Sequence, residues 1–261
     1  MDNSSIFGIG FSHHQALLVA YLLTMLCWDR IARRHTSLWP ASPALTFAHP
    51  WRELAFFGLA LFAVIGIGQL YTKHWLLPTT GGAAQVLEAL NQIIIFSPIL
   101  ALPMIRRQGW ESAWLPTHRI WARVLAGVIL SLIAILVFAC VRSGARPFID
   151  IVRAVYQPGN LGNLVQVLCE DVAIAILFVR MRAAIGLTKS IVVVAVLFAA
   201  AHIPAMLSGP AGLSEFIGLA LDAGLGIVVL FFLQRSGDVW WFWWVHFAMD
   251  MMQFHSGANP G

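Results

Sequence analysis

Apolar runs long enough to cross a bilayer fill this chain, and they constrain its fold more than any other feature. Hydropathy marks about eight of them, each roughly 17–24 residues, near the length a helix needs to cross about 30 Å of hydrocarbon. They lie at 12–28, 54–77, 83–105, 120–141, 161–180, 190–207, 214–233 and 239–255. Composition agrees. The 261 residues are 59% hydrophobic and 11% charged, more apolar than a soluble domain needs. The expected fold is all-α: a polytopic membrane protein of about eight transmembrane helices, one domain over 1–261. The other reading has seven spans, with the proline-containing segment near 83–105 broken or re-entrant. The first run lacks a basic leader and a small-residue cleavage site, so it reads as a retained span and not a signal peptide. Linkers are short and punctuated by Pro and Gly, as in Pro78-Thr-Thr-Gly-Gly82 and Gln157-Pro-Gly-Asn160. Cys27, Cys140 and Cys169 fall in or beside apolar runs. An odd count there argues against a disulfide framework, and no Cys/His spacing suits a structural zinc site.

Charge orients the chain. Alternate loops collect Arg30, Arg33, Arg34, Arg52, Arg106, Arg107, Arg119, Arg123, Arg180, Arg182, Lys189 and Arg235, which is twelve. The opposite set holds four: Lys73, Arg142, Arg146 and Arg153. The richer side is expected in the cytoplasm, which puts both termini outside. The net charge of +4 follows from this bias and needs no nucleic-acid partner. A multi-pass protein of a bacterial inner membrane is the expected setting, with lipid as its first partner. Trp240, Trp241, Trp243 and Trp244 crowd the start of the last span. Tryptophan favours the membrane interface, so an anchoring belt is expected there.

Ionisable groups inside a bilayer are costly, rare and usually functional. Three clusters stand out. Glu170-Asp171 sits in the fifth run, with Gln166 and Asn163 continuing a polar stripe from Glu170. His202 closes Phe198-Ala-Ala-Ala-His202 in the outer half of the sixth. Pro204, two residues on, removes a backbone donor and is expected to distort that helix. His246 and Asp250 share a helix face in the eighth, where a carboxylate can orient an imidazole. A single intramembrane histidine often only bonds a neighbouring carbonyl. Glu170, His202, His246 and Asp250 together point to one buried polar site. Asp222 and the trio Glu88, Asn91 and Gln92 read either as site members or as helix–helix hydrogen bonds. His13 and His14 read as interfacial. Met249, Met251 and Met252 read as packing.

The ordered set resembles the CPBP family of intramembrane proteases, the CAAX prenyl endopeptidases and bacteriocin-processing enzymes also called Abi. That family's pattern is Glu-Glu-x-x-x-Arg, Phe-x-x-x-His and His-x-x-x-Asn/Asp on separate transmembrane helices. The resemblance covers 160–255 and includes the Ser236-Gly-Asp-Val-Trp240 entry to the last motif. The first motif departs from it. Asp171 stands where the family has its second Glu, and Ala175 where it has Arg. Arg180 lies nine residues beyond Asp171, on the opposite helix face, and cannot take the missing place.

The resemblance implies a polar active-site cavity formed by the C-terminal four helices and a hydrolase acting on a membrane-bound or lipid-modified peptide. Glu170 with His202 would activate a water, while His246 and Asp250 would stabilise the oxyanion or orient the scissile carbonyl. Glu170, His202 and His246 could instead ligate a divalent metal such as Zn2+, as in an intramembrane metalloprotease. Ala175 motivates a second reading, a non-catalytic relative serving as a scaffold or in bacteriocin immunity. A small proton-coupled transporter would also carry buried carboxylates, but it would show an inverted repeat, and none is visible.

Overall fold

The computed structural model describes residues 13–40, 44–143, 147–201, 203 and 213–255. Among the described residues every regular element is helical. The long ones are α1 (His13–Arg34), α2 (Pro50–Thr72), α3 (Ala84–Leu100), α5 (Ile120–Ser143), α7 (Leu161–Ile185), α8 (Leu187–Ala200), α9 (Leu213–Ser236) and α10 (Val239–His255). Each coincides with one run expected from hydropathy. Two short helices, α4 (Leu102–Ile105) and α6 (Phe148–Val155), and two 3₁₀ turns, Trp110–Ala113 and Pro158–Asn160, lie between them.

Among the described residues five stretches are long and apolar enough to cross a membrane: Gln15–Arg34, Pro50–Thr72, Ala84–Ile105, Ile120–Arg142 and Gly218–Ser236. The other three expected spans are helices of a different character. Helix α8 is apolar but shorter, α10 has only 17 residues, and α7 carries Glu170, Asp171, Arg180 and Arg182. The reason is position in the bundle. Helices α7 and α10 are inner helices whose polar groups face protein, so they escape the composition that lipid imposes. Helix α2 is the contrast. Only 11% of its apolar window is buried, and Leu59 and Phe62 are exposed. Pro98 lies inside α3, and the helix breaks at Ala101 before α4 resumes. A proline ring and its missing N–H disturb the turn around them.

Helix α10 packs along α5 and α7, and small residues let it approach closely. At Gly127 of α5, an added Cβ would lie 2.5 Å from the Trp241 carbonyl oxygen and 2.9 Å from its Cα. Within the tryptophan cluster, Trp241 does not face lipid. Trp241 is fully buried and stacks on Trp28 of α1, with ring centroids 4.5 Å apart. The Trp243 indole donates to the Leu164 carbonyl at 2.6 Å, and the Trp240 indole to Pro116 at 3.0 Å. Trp240, Trp243 and Trp244 are half-buried.

The loop before α10 has a clear cause. Gly237 ends α9 at φ +53°, a left-handed value that glycine adopts without a side-chain clash. Asp238 then caps α10, accepting the Trp240 N–H at 2.9 Å. Its other oxygen meets Arg123 of α5 at 2.5 Å and the Trp39 indole at 2.8 Å. Both members of this ion pair are buried. Arg123 also bonds the Leu38 carbonyl, so one charged pair joins the α1–α2 connection, α5 and the α9–α10 turn. The same end of the bundle holds Arg235 on Asp29 at 2.6 Å and Arg106 on Glu53 at 2.7 Å.

Helix α6 lies in a stretch that sequence treats as linker. Ile151 and Val155, four residues apart, are buried, while Asp150 and Arg153 face out. Eight residues give too few turns for the pattern to stand out from its surroundings.

Gly127→Ala is expected to force α5 from α10 and to lower stability by about 1–3 kcal/mol. Thermal unfolding in detergent measures it, and an unchanged midpoint would contradict the close approach.

Candidate active site

Helix α7 supplies the first half of the site. Gln166 donates to Glu170 Oε1 at 2.8 Å, so the expected polar stripe is a bonded pair one turn apart. Asp171, one residue on, turns toward α10 and is 2% exposed. Its Oδ1 pairs with His246 Nδ1 at 2.8 Å, while Oδ2 is buried without a hydrogen-bond partner. His246 Nε2 lies 3.6 Å from Asp250 Oδ1, near enough for electrostatic attraction but beyond a good hydrogen bond.

This changes the expected division of labour. The sequence offered Asp250 as the carboxylate that orients His246. The structure gives the shorter contact to Asp171. With that carboxylate on Nδ1, the ring is held with Nε2 toward the cavity. Phe242 stacks against the ring at 5.4 Å, and Phe198 of α8 meets it edge-on at 6.2 Å.

Glu170, Asp171, His246 and Asp250 line one cavity of about 160 Å³. Asp222 of α9 joins them, so of its two readings the site-lining one matches its place. Tyr21 of α1 also lines the cavity, which therefore reaches beyond the four C-terminal helices. Nothing in the sequence marks one tyrosine on an apolar helix as a site residue. His202 lies outside the described residues.

Other candidates fall elsewhere. Glu88 accepts the Tyr71 hydroxyl at 2.9 Å and Gln92 Nε2 at 2.8 Å, joining α2 to α3. Asn91 bonds both the N–H and the carbonyl of Leu77. These residues tie the bundle together away from the cavity. The His13 ring packs edge-on to Phe138, and the His14 side chain lies outside what is described. Met249 and Met252 are fully buried as packing. Arg180 turns away from Asp171, as its helical phase requires. It bonds the Ile176 carbonyl at 2.9 Å and the Gln108 side chain. Ala175 is fully buried.

Among the described residues no cluster of three or more His, Cys, Asp or Glu side chains is arranged to hold a metal ion. Of the metal set expected from sequence, Glu170 and His246 share the cavity.

The same stretch answers to a known family. A family model described as type II CAAX prenyl endopeptidase Rce1-like matches residues 160–252. This segment is similar to that family. No curated protein and no solved structure matches the chain. The CPBP-like segment spans α7 to α10 and so holds the Asp171–His246 pair, Glu170 and Asp250. The likeness is of this segment to the CAAX-type endopeptidase model. Tyr21 stands outside the matched region.

Asp171→Ala and His246→Ala should each lower stability, and together by less than the sum of the two. A double-mutant cycle is expected to give a coupling of about 0.5–3 kcal/mol. Thermal unfolding of the four proteins measures it, and strict additivity would mean that the two side chains do not interact.

Proposed function

We propose that the protein is an intramembrane endopeptidase that hydrolyses a membrane-bound or lipid-modified peptide with an activated water. The observation that carries the reading is the buried Asp171–His246 pair opening on the same cavity as Glu170, inside a bundle of membrane-type helices. A hydrogen-bonded imidazole and a second carboxylate in one cavity form an acid–base set, and a role in packing alone does not call for that set.

In this mechanism Glu170, steadied by Gln166, takes a proton from a water as its oxygen attacks the scissile carbonyl carbon. His246, with its Nδ1–H given to Asp171, acts as the imidazolium, and its Nε2–H donates to the oxygen that becomes negative. Asp250, beside Nε2, restrains the ring on that side. Collapse of the tetrahedral intermediate breaks the C–N bond, and the proton held by Glu170 passes to the departing amine. His202 is assigned to the water by the family resemblance. A divalent metal bound through Glu170, His202 and His246 would polarise the same water and carbonyl.

The departures in the first motif acquire a role in this reading. Asp171 works through His246 and needs no arginine partner on its own helix. It is a positioning residue.

Three substitutions test the proposal on purified protein in liposomes, with prenylated CAAX peptides and apolar leader peptides as reporters. Glu170→Ala and His246→Ala are each expected to reduce cleavage by about 10²–10⁴-fold. Asp171→Ala is expected to cost about 10–100-fold, the range for losing a partner that orients a histidine. Cleavage at the parent rate by Glu170→Ala protein would favour the non-catalytic relative, a scaffold or immunity protein built on the same fold.

A further inference from the structure

The two ends of the helical bundle differ in a way that bears on which substrates can reach the site. Hydrogen bonds and ion pairs gather the basic loops at one end. Arg235 meets Asp29 at the ends of α9 and α1. Arg123 meets Asp238 where α5 begins and α9 passes to α10. Arg106 meets Glu53, and Arg180 meets the Gln108 side chain and the Ser112 carbonyl. This is the end that carries twelve of the sixteen Lys and Arg residues.

A pocket opens at that end among Trp28, Asp29, Trp39 and Arg235, but it shares no lining residue with the cavity of the site. Trp28, Trp241, Arg123 and Asp238 are buried together there, with Trp39 over them. Reaching the cavity from this side would require breaking a desolvated ion pair and a stacked pair of indoles, both costly.

The ionisable groups of the cavity lie well away from it. At 1.5 Å per residue, Glu170 is about 15 Å along α7 from Arg180, and Asp222 about 20 Å along α9 from Arg235. Asp250 is about 16 Å along α10 from Val239. The cavity lining is graded in the same sense. Leu230, Leu233 and Phe242 line the part toward the basic end, and Asp250 and Gln253 line the part away from it. Gln253 is exposed.

The excess of Lys and Arg marks the cytoplasmic side of a membrane protein. We infer that the site is reached from the extracytoplasmic side, and that its substrate class is peptides anchored in the outer leaflet or emerging from it. A tail held at the cytoplasmic face is not presented to this cavity. The inference rests on the hydrolase reading for the word substrate, and on geometry and charge alone for the side of access. It also gives the apolar inner wall a use. A peptide entering from the polar end would place an aliphatic or aromatic side chain, or the start of a lipid chain, against Leu230, Leu233 and Phe242.

The test uses the full chain with Cys27, Cys140 and Cys169 replaced by Ser, and one new cysteine at a time. Gln253→Cys and Asn163→Cys report the polar end, and Arg34→Cys reports the basic end. A membrane-impermeant maleimide is applied to right-side-out and to inverted vesicles. Gln253→Cys and Asn163→Cys are expected to label at least tenfold more in right-side-out vesicles, and Arg34→Cys at least tenfold more in inverted ones. If one polar-end variant fails to fold, the other carries the measurement. The reverse pattern, or labelling of all three from one side, would overturn the inference. So would the absence of labelling at both polar-end positions. A second arm presents one reporter peptide, fused to a single span, with its cleavage site on either side. Cleavage is expected at least tenfold faster outside, and faster cleavage inside would overturn the inference. The two readings fail separately. Labelling reports access without any catalysis, and loss of the hydrolase reading through an active Glu170→Ala protein would leave the labelling unchanged.

Discussion

The hydrogen bond between Asp171 and His246 is the contact on which the candidate site depends. It joins two inner helices across the cavity, and both groups are buried. A carboxylate alone in such a place would carry a desolvation cost of several kcal/mol. An imidazole alone would leave a polar nitrogen unmatched. Together they offset much of each other's cost and fix which ring nitrogen faces the cavity. Glu170 stands one residue away on α7 and has a different partner, Gln166. Adjacent carboxylates on one helix therefore differ in their surroundings, one holding the histidine and the other bonded to Gln166 at the cavity wall.

A second buried contact keeps the helices that carry this pair in register. Arg123 and Asp238 meet where α10 begins, and Asp238 also caps that helix. The Ser-Gly-Asp-Val-Trp stretch is thus an anchoring device. Gly237 provides the left-handed turn, Asp238 the cap and the charge, and Trp240 a hydrogen bond to Pro116. From that anchor α10 runs past Gly127 to His246, and the approach at Gly127 leaves no room for a methyl group. One end of the bundle is charged and aromatic, and the cavity of the candidate site lies beyond it.

Much of this was legible in the sequence. Each apolar run is a helix, because a bilayer leaves few other ways to satisfy a backbone. The Glu170-Asp171 pair and the His246–Asp250 spacing do converge on one cavity. What the sequence did not show were contacts between distant segments. Tyr21 lies on an apolar helix and enters the cavity only through packing. Asp171 looked unpartnered because the search for its partner ran along its own helix, while its partner lies across the bundle, 75 residues later. Trp241 reads as part of an interfacial belt because composition does not separate a lipid-facing position from a buried one. Helix α6 is too short for periodicity to reveal. Arg123 and Asp238 read as loop charges, because the number of unit charges says nothing about their burial.

The central claim is that a water in this cavity attacks a peptide bond. The direct measurement is isotopic. A single turnover of a cleavable reporter in water enriched in ¹⁸O, read by mass spectrometry, shows where the new oxygen goes. The account predicts one ¹⁸O atom in the new carboxylate of the N-terminal product, at a rate that falls with Glu170→Gln. Peptide that stays intact with the parent protein, or label that enters at the same rate in the Glu170→Gln protein, would contradict it.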